Sequence, residues 1–188
     1  MTLRSAALVC MAALAAAPSP GLEAQPWREQ LVLPSPTALP CCWRQEQALR
    51  IAVPGKALAG TATVTRDGEG LAVVVRDGGG ARIASLRQGI DGQVRSGDGE
   101  DWSPGLDQLV LLAIHLHRRG PEAWLVSQPG WTAQTRGGRG ELFHGGVLQA
   151  RIDYRDPPEP GRARGFSFAA KGHALDTEVT ARALLPQR

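Results

Sequence analysis

Residues 103–119 read Ser-Pro-Gly-Leu-Asp-Gln-Leu-Val-Leu-Leu-Ala-Ile-His-Leu-His-Arg-Arg, the one segment of the chain long and apolar enough for a substantial helix. Its ends carry helix chemistry. Ser103 suits the N-cap with Pro104 at the first helical position, Asp107 falls in the first turn, where the helix dipole is positive, and Arg118 and Arg119 precede a Gly120-Pro121 stop. Leu106, Leu109, Val110, Ala113 and Leu116 recur at helical spacing, while Leu111, Leu112 and Ile114 make the opposite side apolar too. A helix apolar on most of its circumference has to be covered by the rest of the chain. That requirement limits the folds open to it more than composition does.

The flanking sequence alternates with the period of strands. Leu49, Ile51 and Val53 alternate with polar or small residues, as do Leu58, Ala62 and Val64, then Leu71, Val73 and Val75, then Ala84 and Leu86. Asp-Gly pairs punctuate them at Asp67-Gly68, Asp77-Gly78, Asp91-Gly92 and Asp98-Gly99, a dipeptide that suits tight hairpins because both central positions tolerate positive φ. Beyond the helix, Trp124 to Trp131 is an apolar link broken by Pro129. Alternation then returns at Leu148 to Tyr154, at Phe166 and Phe168, and at Leu175 to Val179, with Pro157, Pro158 and Pro160 marking a loop. The expected fold is α+β and mostly β, a curved antiparallel sheet or incomplete barrel wrapped around one main helix.

With 188 residues the chain has room for one domain with a real core. Its N-terminus reads as a signal peptide over residues 1–24: Arg4, an apolar run from Ala6 to Ala17, a Pro18-Ser19-Pro20-Gly21 break and a cleavage site at Ala24. That run is about a dozen residues where a membrane span needs about twenty. The expected location is therefore the periplasm or the periplasmic face of the outer membrane. Cys10 follows Val9, which is not a small residue, and has little apolar sequence before it, so the expected mature chain begins near Gln25 without a lipid. Residues 25–42, with prolines at 26, 34, 36 and 40, read as an extended leader, and residues 43–185 as the folded domain. Adjacent Cys41 and Cys42 are expected as free thiols or an intermolecular bridge, because a ring between neighbours is strained. Of 21 basic residues only Lys56 and Lys171 are lysine, the net charge is only +3, and the charges are scattered, which argues against a nucleic-acid partner.

The order of elements, the helix Pro104 to His117, the sequence Gln128-Pro129-Gly130-Trp131 and the strand Gly146-Val147-Leu148-Gln149-Ala150-Arg151-Ile152-Asp153-Tyr154 resemble the LolA–LolB superfamily of bacterial periplasmic carriers. They more closely resemble a LolB-like outer-membrane lipoprotein family of unknown function, over about Trp43 to Arg182. The resemblance implies a lidded, incomplete barrel holding acyl chains or a polyene lipid, and a partner that is a lipid or an acylated protein, with the outer membrane surface nearby. The cleft lining expected on that basis is Val73, Leu86, Leu109, Leu112, Leu116, Trp131, Ile152, Phe166 and Phe168, with Leu112 on the ligand side. Two features depart from LolB-type proteins. Cys10 lacks a lipobox, and the loop Asp77-Gly78-Gly79-Gly80 has no apolar residue with which to enter a membrane.

Catalytic arrangements are not evident. Gly165-Phe166-Ser167-Phe168-Ala169 has the letters of a nucleophile elbow, but it lies in an alternating strand with no helix after it. Phe143-His144-Gly145-Gly146 reads as a turn between strands. His115 and His117, two apart on a helix, point different ways and do not form a one-face metal pair. Asp98, Glu100 and Asp101 form an acidic turn before the helix N-terminus. No catalytic residue, metal or cofactor is therefore expected. The alternatives from other classes are an envelope hydrolase or acyltransferase using His144 or the acidic turn, and a non-catalytic interaction module.

Overall fold

The structure, a computed structural model, describes residues 32–98, 102, 105–123, 128–170 and 172–186. The expected signal peptide with Cys10, residues 25–31, the Ser103-Pro104 cap, Glu100, Asp101 and residues 124–127 of the apolar link lie outside the described residues. The elements run β1 (Trp43–Val53), β2 (Lys56–Asp67), β3 (Gly70–Asp77), β4 (Arg82–Gly89), β5 (Val94–Asp98), α1 (Leu106–Arg119), β6 (Trp131–Arg136), β7 (Arg139–His144), β8 (Val147–Arg155), β9 (Gly165–Ala170) and β10 (His173–Leu184). A short 3-10 turn, Pro36–Ala38, precedes them.

All ten strands form one antiparallel sheet in the order β5-β4-β3-β2-β1-β10-β9-β8-β7-β6. Two meanders thus meet where the first strand pairs with the last, with Leu49 opposite Thr177 and Ile51 opposite Leu175. The outermost strands, β5 and β6, do not pair with each other, so the sheet is not closed into a barrel. Helix α1 is the connection between these two edges.

One face of the sheet is apolar. In β1, Trp43, Gln45, Gln47, Leu49 and Ile51 are buried while Arg44, Glu46, Ala48, Arg50 and Ala52 are exposed, the two-residue period of a sheet covered on one side. The three described Asp-Gly sites, at 67, 77 and 91, all lie at hairpin turns between adjacent strands. The aspartates act there through their side chains rather than through positive φ. Asp67 Oδ1 accepts from the amides of Glu69 and Gly70, Asp77 Oδ1 from Gly79 and Ala81, and Asp91 Oδ1 from Gln93.

Helix α1 is buried at every position from Leu109 to His117. Its N-cap is Gly105, which makes no side-chain capping bond, so the helix begins later than the Ser103 cap predicts. Its C-terminal end is well satisfied. Leu116 O accepts from the Gly120 amide at 2.8 Å and from the Tyr154 hydroxyl at 3.0 Å, and His117 O accepts from the Gly161 amide at 2.6 Å. Gly161 has φ +74, and a Cβ there would stand 2.8 Å from Arg118 O, so glycine is required for the 156–164 loop to cap the helix.

One expectation is overturned near the N-terminus. Cys41 and Cys42 are bonded to each other across a cis peptide rather than free or intermolecular. The described part of the Pro-rich leader lies against the domain. Leu39 and Pro36 are buried, and side chains from five places donate to its main-chain carbonyls: Arg66 to Pro36 at 2.8 Å, Gln88 to Pro34 at 2.9 Å, Gln128 to Val32 at 2.6 Å, Trp43 to Pro40 at 3.0 Å, and Arg119 to Ala38.

Candidate functional site

The inner face of the sheet and α1 bring all nine expected lining residues into one apolar cluster, in which none is more than 7 % exposed. Val73 pairs directly with Leu86 across β3 and β4, and Ile152 with Phe168 across β8 and β9. These side chains fill the interior against one another. Leu112, expected on the ligand side, is buried as completely as Leu109 and Leu116. Residues outside the sheet share this core: Leu39 and Trp102 belong to the same cluster, and the 156–164 loop bonds to the end of α1.

Polar groups enter this core where alternation places them on the inner face. Gln45, Gln47 and Thr177 are buried, and among the described residues the amide of Gln45, Thr177 Oγ1 and His117 Nδ1 have no hydrogen-bond partner. Extending the Leu49–Ile51 alternation backward through β1 lands on Gln47, Gln45 and Trp43, so the signal was present in the sequence. The two helix histidines do point different ways. His115 Nε2 meets Gln88 Oε1 of β4 at 2.9 Å, whereas His117 Nε2 meets Ala163 O at 3.0 Å and its ring stacks on Phe166 with centroids 4.6 Å apart.

Burial holds both imidazoles neutral. Desolvation, followed by the nearby Arg119 and Arg66 charges, lowers His115 to about 4. Desolvation, with Arg118 and Arg182 outweighing part of the benefit of the Ala163 carbonyl, lowers His117 to about 4 as well. A neutral His117 that donates through Nε2 leaves Nδ1 as a bare acceptor. Burial also raises the Tyr154 phenol, consistent with a hydroxyl that serves as a donor to Leu116 O.

The other candidates fall apart in space. Ser167 lies on the outer face of β9, where its hydroxyl donates to Asp176 Oδ2 at 2.7 Å. His144 ends β7 beside Trp131, with ring centroids 5.1 Å apart, and Gly145-Gly146 form the turn into β8. Trp131 is buried on the inner face, so Ser167 and His144 are on opposite sides of the sheet and do not make a nucleophile–base pair. Among the described residues no three His, Cys, Asp or Glu side chains gather where one metal ion would be held, and no helix is long and apolar enough to cross a membrane.

A shallow concavity of about 670 Å³ lies across the outer face at the hairpin ends of β1, β2, β9 and β10. Its floor is made by Ala52, Ala57, Ala59, Ala169 and Ala174, small residues that let solvent approach the sheet. The carboxylates at its rim are already paired: Arg155 with Asp176 at 3.0 Å and Arg139 with Asp153 at 2.6 Å. Except for Phe168, none of the expected lining residues borders it.

No family model and no curated protein matches the chain.

Proposed function

We propose that this chain is an exported envelope protein that holds an acyl chain or polyene lipid between its helix and its sheet, as the resemblance to LolA–LolB carriers implies. The observation that carries the reading is an open ten-stranded antiparallel sheet whose apolar face receives a helix buried along nearly its whole length. In this reading the sheet bends around α1 as an incomplete barrel, and β5 and β6 are the lips of its opening. The ligand is a free lipid or the lipid of an acylated protein, taken up in the periplasm or at the inner surface of the outer membrane.

Apolar transfer supplies the affinity, at about 0.8 kcal/mol per buried methylene. The side chains of the core already occupy one another's space, so loading requires part of the cover to swing aside. The segment 32–40 is suited to this. The bonds that hold it run from side chains to its main-chain carbonyls, worth about 1 kcal/mol net from Gln88 and Gln128 and about 1.5–3 kcal/mol from the charged Arg66, and water replaces them on release. The deciding experiment is a mass spectrum of the organic extract of the protein purified from its native envelope. A stoichiometric acyl or polyene lipid is expected. Protein that carries none, and whose melting temperature does not move when acyl lipids are added, ends the carrier reading.

A further inference from the structure

Five arginines, Arg66, Arg118, Arg119, Arg164 and Arg182, surround the C-terminal end of α1, and among the described residues none of them forms an ion pair with a carboxylate. Arg66 and Arg119 are spent on the carbonyls of the 32–40 segment. The remaining three adjoin the Ala163 carbonyl, Arg182 by direct contact and Arg118 and Arg164 through their chain neighbours His117 and Ala163. Ala163 O accepts from His117 Nε2 of the helix and from Arg182 Nη2 of β10 at 2.6 Å. Arg118 follows His117, and its guanidinium lies over the Trp43 ring at 4.4 Å. Arg164 follows Ala163, and its carbonyl accepts from the Val179 amide of β10.

Among the described residues, Arg182 thus has a carbonyl and Arg118 a ring as partner, and neither they nor Arg164 has an anion. Their mutual repulsion is felt: Arg118 is lowered by burial and then by Arg182, and Arg182 by burial and then by Arg164. Such an arrangement favours an anion that answers it. A second observation lies just inside. Gln45 is the register partner of Arg182 and only 1 % exposed, and among the described residues neither its amide nitrogen nor its oxygen has a partner. A buried amide without partners marks a place where something that hydrogen-bonds is expected.

We propose that Arg118, Arg164 and Arg182 form a phosphate-binding site at the helix end of the core, with Gln45 as its inner neutral contact. Guanidinium forks match a phosphate with several oxygens better than a single carboxylate, and the aromatic floor of Trp43 orients Arg118. Trp43, under Arg118, and Phe166, stacked on His117, belong to the apolar core. If the carrier reading above holds, on which this extension rests, the phosphate belongs to a lipid headgroup whose acyl chain enters the core. Otherwise it is free phosphate.

The test titrates the full mature chain with lysophosphatidic acid, with the monoacylglycerol of the same acyl chain, and with inorganic phosphate, by calorimetry at low ionic strength. The expected result is at least about a tenfold preference for the phosphate-bearing lipid, competed by inorganic phosphate, as charged hydrogen bonds supply. Arg164→Gln with Arg182→Gln should abolish the preference and leave monoacylglycerol affinity unchanged. The exposed single variant Arg164→Gln serves if the pair disturbs folding, and should reduce the preference in part. Equal binding of both lipids, or a preference that survives these substitutions, overturns the phosphate site while leaving the carrier reading intact. Phosphate binding that the arginine variants lose, with no binding of either lipid, keeps the site and ends the carrier reading. If neither lipid nor phosphate binds, both are wrong.

Discussion

The two helix histidines make the stability of this protein depend on pH in a way that can be worked out in advance. His115 and His117 are both buried and both lowered from 6.5 to about 4. As the pH falls, the unfolded chain takes up protons on these residues first, so the stability they contribute is fully present above pH 6.5 and is lost as pH falls through 6.5 toward 4. At pH 5 the loss is about 2 kcal/mol for each histidine, or about 4 kcal/mol for the two. That is a large share of the roughly 5–15 kcal/mol that holds a domain folded. Urea denaturation at pH 7.5 and pH 5.0, for the wild type, His115→Gln, His117→Gln and the double variant, measures it. Glutamine keeps a donor toward Gln88 Oε1 and toward Ala163 O without a titrating ring. Each single variant should lose about 2 kcal/mol less than wild type between the two pH values, and the double variant about 4 kcal/mol less. Equal pH slopes in wild type and double variant would refute the reasoning, because they would mean that neither imidazole is held neutral in the fold.

Two further outcomes are expected. Because Leu112 is as buried as Leu109, each Leu→Ala substitution should cost about 2–5 kcal/mol by thermal or urea unfolding; a Leu112→Ala protein that melts like wild type would instead place that side chain beside space open to a ligand. Intact-mass measurement of protein from the native host should give a chain beginning near Gln25, and a diacylglycerol-sized increment on a chain beginning at Cys10 would contradict the reading of the N-terminus.

What could be read in advance followed periodicity. The helix, the meander before it and the strands after it were legible because Leu, Val and Ile recur at 3.6 or at 2, and because Asp-Gly pairs mark the turns. Edge strand β5, Val-Arg-Ser-Gly-Asp, and strands β6 and β7 were not recognised as strands. They contain few apolar residues, and β5 and β6 each have only one neighbour, so pairing rather than alternation defines them. The role of residues 32–40 was also hidden. Proline content tells of an extended backbone, but the donors that fix it come from positions up to 96 residues away.

The arginines show the same division at the candidate site. Arg118, Arg164 and Arg182 are spread along the sequence, and their charges look unrelated until β10 is laid beside β1 and the 156–164 loop is folded onto the end of α1. The apolar half of the site is a property of local pattern, since each strand and the helix declare which side chains face inward. The polar half is made by contacts between distant segments, and those have no period to be read. It follows that Gln45 is the most informative residue of the region: its inward position could be inferred from β1 alone, whereas its unsatisfied amide gains meaning only from Arg182 across the strand pair. Gln45→Leu separates the two halves. It removes a buried amide without partners, so it should raise or preserve stability if the interior is plain core. If the amide contacts the phosphate, the same substitution should weaken lysophosphatidic acid binding and spare monoacylglycerol.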